Sequence, residues 1–342
     1  MLHKKYEAVE GIFYWDGQFQ SGRYIPEENK FESLPEKKGY DLFIPMPINA
    51  HTHIGDSFIR EEPEGSLMEV VGPGGFKHRQ LQNASEKTII DAMKKSMKFM
   101  KKNYTASFFD FRETGTMGIS TIRAIRTNFP EAIVLARPSH VSEIDQLMQI
   151  IDGIGFSSIN DHNLEYIMES TRKMKNLGGI IATHFSESEE ENMEILRKVE
   201  PDLLVHCTGL KGEKLVDLGD ICSDVAITPR SNFFYGIRPD YAMFLDAGLN
   251  LMLGTDNVMV VEPDIFNEME WLYRYQKNKH YMSPESILKC AIVNPDLFLK
   301  KTGHCRINDK WIRIKGKTPT PFQIVTRFHS LSEKSVVQFL SV

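Results

Sequence analysis

The sequence predicts an α/β chain whose core is a closed (β/α)8 barrel of the TIM type, with a small β-sandwich built from its two flanks. Three observations predict it. Eight short β-rich runs recur from residue 42 onward, segments with helical spacing or caps separate most of them, and both ends of the chain show β-rich alternation instead. Apolar strands alternating with helices imply a parallel sheet covered on its outside. Eight such units in about 250 residues fit a closed barrel.

The elements follow in order. Residues 6–25, YEAVEGIFYWDGQFQSGRYI, alternate, and the DG within YWDGQF signals a hairpin, so residues 1–41 are assigned to the small domain. The barrel, residues 42–312, contains the runs LFIPMPINAHTH, ASFFDFRE, IVLARPS, GIGFSS, GIIATHF, LLVHCTGL, VAITPRSN and LMLGTDN. Between them, SEKTIIDAMKKSMKFMKKN and STIRAIRTNF space their apolar residues as helices do, and NLEYIMESTRKMKNLGG ends on a glycine pair suited to a helix C-cap. GPGGFKHR, residues 72–79, lacks the spacing of a phosphate loop and follows no strand, so it is expected to be a flexible loop. The tail PFQIVTRFHSLSEKSVVQFL is β-rich again, and residues 313–342 are expected to pair with the N-terminal flank. An open doubly wound sheet would carry a glycine-rich turn after its first strand. Here the first strand ends in HTH.

Composition narrows the function. A chain of 342 residues with 41% hydrophobic content can bury a large core. A net charge of −5 and a pI near 6.1 argue against a nucleic-acid or anionic-membrane surface, which leaves a small molecule as the expected partner. No apolar stretch reaches the roughly 18 residues of a membrane helix, and MLHKKYEAVEG lacks a signal-peptide core, so the expected compartment is the cytoplasm. Cys207, Cys222, Cys290 and Cys305 form no CxxC pair and are read as free thiols, with Cys207 turned away from whatever His206 faces. The sequence leaves self-assembly open.

In such a barrel the active site lies at the C-terminal ends of the strands. The first strand ends in His51 and His53, the fifth in His184, the sixth in His206 and the eighth in Asp256. His51 and His53 share a face because side chains alternate, so one strand can supply two ligands to one ion. A lone histidine at a strand end is usually a hydrogen-bonded structural residue. Four histidines and an aspartate gathered at one end are better explained by a divalent metal, zinc first and iron as the alternative.

These motifs resemble the amidohydrolase superfamily, and within it the branch that contains cytosine deaminase, guanine deaminase, the triazine chlorohydrolases and the methylthioadenosine/S-adenosylhomocysteine deaminases. NAHTH, THFSE, LVHCTGL, PRSN and AGLNLMLGTDN carry the resemblance, over residues 45 to 270. It implies that His51, His53, His184 and Asp256 hold one divalent metal ion, that His206 contacts the metal-bound water or the substrate, and that Glu187 moves protons. Two departures stand out: PMPINA replaces the usual proline followed by glycine, and the flanks are short. GIGFSS also lacks the lysine that bridges two metals in binuclear relatives, which implies a single ion.

The chemistry can be argued from the residues as well. A divalent ion lowers the pKa of bound water toward neutrality and so supplies hydroxide. Breaking a C–N bond then needs a base for the water's proton and an acid for the nitrogen, and Glu187 and Asp256 are the candidates. Glu187 follows His184 by three residues, so the strand must end there for Glu187 to curl back over the metal. Ser188 with Glu191, and Ser186 with Glu189, fit helix capping boxes, which makes Glu189, Glu190 and Glu191 a solvated first turn. Arg112, Arg137 and Arg230 lie near strand ends. If turned inward they would bind a substrate carboxylate or phosphate, although rim salt bridges are the commoner use. His140, Lys77 and His78 are weaker substrate candidates, and the loop from Ile54 to Ala84 is expected to set specificity. The expected function is hydrolytic deamination of an aminated heterocycle, a purine, pyrimidine or nucleoside-like compound, with release of ammonia. The rivals are a dechlorinating, N-dealkylating or cyclic-amide hydrolase, and a barrel that binds a ligand without turnover.

Overall fold

The computed structural model describes residues 8–113, 118–304, 310–316 and 318–339. Four strands open the chain: β1 (Val9–Trp15), β2 (Gln18–Ile25), β3 (Lys30–Ser33) and β4 (Leu42–Pro45). The barrel follows as β5 (Ile48–His53), β6 (Ser107–Arg112), β7 (Ile133–Ala136), β8 (Gly153–Phe156), β9 (Ile180–Phe185), β10 (Leu203–His206), β11 (Asp224–Ile227), β12 (Asn250–Leu253) and β13 (Asp256–Asn257). Two more, β14 (Lys310–Ile314) and β15 (Lys334–Gln338), return to the small sheet. Among the described residues no helix is long and apolar enough to cross a membrane.

Strands β5 to β12 lie side by side in chain order, and β13 pairs in parallel with β5, which closes the ring. β12 and β13 are the two halves of the eighth predicted run. The break falls at Gly254, where a Cβ would lie 2.6 Å from the Cβ of His51 and 2.7 Å from its backbone nitrogen. Only glycine allows that approach. Thr255 then donates its N–H to the His51 carbonyl at 3.0 Å. Asn49, within the unusual PMPINA stretch, clamps the same seam: its amide donates to Thr255 Oγ1 at 2.8 Å and its Oδ1 accepts from Thr255 N–H at 3.1 Å.

The barrel interior is filled by alternate residues of successive strands, among them Ile48, Ala50, Phe109, Phe111, Leu135, Ala182, Val205 and Met252, with Phe298 and Leu299 of the helix Pro284–Lys301 joining the cluster. The predicted helices form at Glu86–Lys102, Ile119–Asn128 and Leu164–Asn176, the last followed by Gly178 at φ +74°. Ser85 and Asn163 cap the first and third.

The two ends of the chain meet in one sheet of order β15-β14-β4-β1-β2-β3. The DG turn joins β1 to β2 with Asp16 at φ +49° and Gly17 at φ +74°, the two positive φ values that a tight hairpin favours. The sheet curls around its aromatic face, so that Phe339, beyond the edge strand β15, packs against Tyr24 of β2 with ring centroids 5.2 Å apart. The run predicted as one strand from Leu42 to His53 is two strands. Leu42–Pro45 pair with β1 and β14, and the barrel begins only at Ile48, after Pro47, which has no N–H to give a ladder. Part of the tail also differs from expectation: PFQIVTR is a helix, started by a Thr320–Gln323 capping box with proline at its first position.

Candidate active site

Local irregularities at the strand ends build the site. Ile48 and Ala50 face the barrel interior, so simple alternation would turn His51 and His53 outward. The register against β6 shifts between Asn49 and Thr52, and His51 comes to lie 4.3 Å from the interior Phe111, ring to ring. A bulge of this kind re-aims every residue after it. His184 keeps the phase of Ala182 and needs no correction. His206 follows the interior Val205, and a φ of +69° swings its ring back to 5.4 Å from that of His184. Asp256 sits at φ +68°. Such conformations cost non-glycine residues roughly 1–3 kcal/mol each and persist where the surroundings enforce them.

The five side chains converge. His51 Nε2 is 3.2 Å from Asp256 Oδ1, His53 Nε2 is 3.6 Å from the same oxygen, and His53 Nε2 and His184 Nε2 are 3.3 Å apart. Two triads, His51–His53–His184 and His51–His206–Asp256, each have ligand atoms within 4.8 Å of one another, and they share His51. They therefore describe one centre. His51 is fully buried, and neither of its ring nitrogens has a hydrogen-bond partner. A buried imidazole left so is costly, and a divalent ion would satisfy it. Three imidazoles and one carboxylate are a donor set suited to zinc or iron.

The groups behind each ring decide what it presents to the centre. His184 Nδ1 is 2.8 Å from the Phe156 carbonyl, an acceptor, so the proton sits on Nδ1 and the Nε2 lone pair points inward. His53 Nδ1 lies 3.3 Å from Glu113 Oε1, close enough for the carboxylate to favour the proton on Nδ1 although no hydrogen bond is formed. His206 is reversed. Its Nδ1 is 3.1 Å from Thr228 Oγ1, a hydroxyl free to donate to it, and 3.3 Å from the Asn232 amide nitrogen, a donor, while Tyr241 OH donates to Asn232 Oδ1 at 2.9 Å and fixes that amide's orientation. His206 therefore presents an N–H, which suits a hydrogen-bond donor better than a ligand. Burial holds His53 and His206 neutral, each with its pKa pushed down to about 3. Asp256 accepts from Ser231 Oγ at 2.6 Å and from Asn257 Nδ2 at 2.8 Å. Burial opposes its ionisation, but His51 beside it holds the carboxyl well below the usual range.

Strand β9 ends at Phe185, and Ser186 at φ +47° turns the chain so that Glu187 Oε1 stands 3.5 Å from His206 Nε2. Thr208 Oγ1 donates to the Glu187 carbonyl and steadies the turn. Burial, and then the charge of Asp256, push the Glu187 carboxyl well above its ordinary pKa. The capping boxes expected after it do not form. The helix starts at Met193 with Asn192 as its cap, and Ser186 and Glu191 close the loop by exchanging hydrogen bonds at 3.0 and 2.9 Å.

A cavity of about 350 Å3 opens over the centre. Arg137 lines it, as do Lys77 and His78 of the segment between β5 and β6. Arg112 and Arg230 do not. Arg112 is buried against Met93 and pairs with Asp110 at 3.5 Å, while Arg230 is held by Glu268 at 2.5 Å and by two backbone carbonyls. His140 is exposed and away from the cavity. GPGGFKHR is no flexible loop: Phe76–Asn83 is a helix that sends Lys77 into the site. Cys207, Cys222 and Cys290 are buried free thiols, and Cys305 lies outside the described residues. Sequence reasoning missed Glu113, Asn257, Ser231 and Asn232. Glu113 closes the second run, at the same end as the histidines, and Asn257 follows Asp256, so both could have been suspected from position.

Residues 43–304 match the model of the amidohydrolase family. An uncharacterized protein of Methanocaldococcus jannaschii is 32% identical over 302 residues, covering 81% of this chain and 77% of that one. Among solved structures, guanine deaminase from C. acetobutylicum aligns with a TM-score of 0.72 at 14% identity, over 96% of this chain and 97% of that one. Atrazine chlorohydrolase from Arthrobacter aurescens, solved with zinc, aligns with a TM-score of 0.68 at 12% identity, over 87% and 88%. At such identities the two structures speak to the fold.

Proposed function

The chain belongs to the amidohydrolase family, and from that premise we propose that it deaminates an aminated heterocycle, a purine, pyrimidine or nucleoside-like compound, by metal-dependent hydrolysis that releases ammonia. His51, His53, His184 and Asp256 hold one divalent ion, zinc or alternatively iron. Such an ion, when bound, makes a water acidic and polarises the bond to be broken. The remaining work falls to the chain's own side chains.

The observation that carries the reading is Glu187. Its carboxyl is poised to hold a proton on the cavity wall, 3.5 Å from His206 Nε2. A departing amine must be protonated, whereas chloride leaves without an acid, so a proton-holding Glu187 supports an amine as the leaving group. Glu187 enters as the carboxylate, takes a proton from water, and as the carboxylic acid so formed, which its burial favours, returns that proton to nitrogen. His206 donates its Nε2–H to an oxygen on the reacting carbon, and Asp256, held by Ser231 and Asn257, keeps its charge throughout. Away from the centre, Arg137 faces the cavity with its Nε donated to the Gly155 carbonyl at 3.3 Å, which leaves its terminal nitrogens for a carboxylate or phosphate of the substrate.

The test is an ammonia-release screen of zinc- and iron-loaded protein across aminated heterocycles in ¹⁸O-labelled water. Ammonia together with one labelled oxygen in the product is the expected result. Chloride or an alkylamine instead, or a product without label, refutes the deaminase reading in favour of its relatives.

A further inference from the structure

The segment between β5 and β6 drives one charged side chain into the site, and no step above uses it. Lys77 lies on the helix Phe76–Asn83, yet it is only 3% exposed. A buried ammonium must be paired. Its Nζ lies 2.5 Å from Glu113 Oε1, 3.0 Å from Asn257 Oδ1 and 3.9 Å from Asp56 Oδ2. Among the described residues no other lysine or arginine stands within ion-pair distance of Asp56, Glu113, Asp256 or Glu187.

Two of these partners lead directly to the centre. Glu113 Oε1 is 3.3 Å from His53 Nδ1, and Asn257 Nδ2 donates to Asp256 Oδ1 at 2.8 Å. His53 and Asn257 are also register partners across the β5–β13 pair that closes the barrel. The ammonium thus joins three pieces of chain that are far apart in sequence, and it stands one group removed from two of the four ligands. Asp56, with one oxygen toward Lys77, accepts from Met259 N–H through the other at 3.0 Å and ties the start of the same segment to the chain after β13.

We propose that Lys77 is a positioning residue: docking of the segment 54–84 delivers its ammonium, which fixes Glu113 and Asn257 and through them sets His53 and Asp256 to hold the ion. This rests on the reading that those residues hold an ion. It makes segment docking and ion retention a single event. Groups that orient metal ligands are commonly worth about 10- to 100-fold in affinity. The sign separates this role from plain electrostatics. A cation beside the centre repels a second cation, so if charge alone mattered, removing Lys77 would tighten binding.

The experiment is a zinc titration of chelator-stripped protein against a competing chelator, with Lys77→Met, Glu113→Gln and the double variant beside the wild type. Each single change is expected to weaken zinc binding about 10- to 100-fold, and the double variant to lose less than the product of the two. The visible spectrum of the cobalt-loaded protein should change in both single variants, because it reports ligand geometry. Zinc should protect the segment 54–84 from proteolysis in the wild type and do so less in Lys77→Met. Unchanged or tighter binding by folded Lys77→Met overturns the proposal, as does a fully multiplicative double variant. Should Lys77→Met not fold, Lys77→Gln is titrated in its place: weakened zinc binding supports the proposal and unchanged or tighter binding overturns it. A wild type that takes up no zinc or cobalt sinks the ion reading and this proposal together, whereas wild-type uptake with an unaffected variant sinks this proposal only.

Discussion

Lowering the pH of the metal-free protein should expose the cost of keeping His206 neutral. Burial pushes its pKa down to about 3 from an ordinary 6.5, with the charge of Asp256 pulling the other way. Between those values the unfolded chain binds a proton that the folded chain refuses. The stabilisation is therefore complete above pH 6.5 and is lost as pH falls toward 3. From pH 7 to pH 5 the loss is about 2 kcal/mol, since each pKa unit is worth about 1.4 kcal/mol and pH 5 lies 1.5 units below the unfolded value. The wild-type profile alone does not isolate this, because Asp56 works in the opposite sense. Burial raises its pKa to about 8 from 3.8, so the folded state holds an extra proton in that window and acidification from 7 to 5 favours it. The informative quantity is a difference. Urea-unfolding free energies in a chelator, at pH 7 and pH 5, should show that His206→Asn loses about 2 kcal/mol less than the wild type. Equal losses in the two proteins would falsify the claim that His206 is buried neutral.

Other expectations can be checked in parallel. Glu187→Gln should fold and bind metal but lose at least about a hundredfold in kcat, because an amide keeps the shape and shuttles no proton; a wild-type rate reassigns the shuttle. Elemental analysis of protein purified without added metal should give one equivalent per chain, and two tightly held equivalents would end the mononuclear reading. Asn49→Ala strips both side-chain bonds from Thr255 at the barrel seam and should cost about 2 kcal/mol in urea unfolding, with no cost implying that the seam is held elsewhere. Arg137→Ala should raise KM for a substrate bearing a carboxylate or phosphate and leave kcat nearly unchanged, whereas a fall in kcat at constant KM would place Arg137 in the chemistry instead.

Much of this architecture was legible because it depends on patterns one element long. Eight apolar runs, the helical spacing between them and the DG hairpin are local facts, and the strand-end histidines mark themselves. What escaped was set by contacts between distant segments. PFQIVTR alternates like a strand but carries a threonine, proline and glutamine in the positions of a helix start, and the cap prevailed. GPGGFKHR looks like a loop by composition, yet the pull of Glu113 and Asn257 on Lys77 lies 36 and 180 residues further along the chain. Alternation correctly paired His51 with His53 and gave no warning that a bulge was needed to turn both inward. It separated His206 from Cys207 for a reason the structure does not use, since both residues carry a positive φ.

The four histidines look equal in the sequence, and the structure separates them by what stands behind each ring. An acceptor behind the distal nitrogen takes the proton there and leaves a lone pair facing the centre, as the Phe156 carbonyl does for His184 and Glu113 for His53. A donor behind it sends the proton forward, as the Asn232 amide does for His206, with the Thr228 hydroxyl beside it able to donate as well. His51 has neither, which is tolerable for a fully buried ring only if something in the centre engages it. The division between inward lone pairs and an inward N–H therefore follows from oxygens and nitrogens contributed by β8, by Glu113 just past the second barrel strand and by the helix Pro229–Phe234, none of which belongs to a histidine motif. Glu187 completes the logic. It stands beside the imidazole that offers an N–H, so under the proposed deamination the proton donors gather on the side where the leaving amine would be protonated, and the lone pairs gather where an ion would sit.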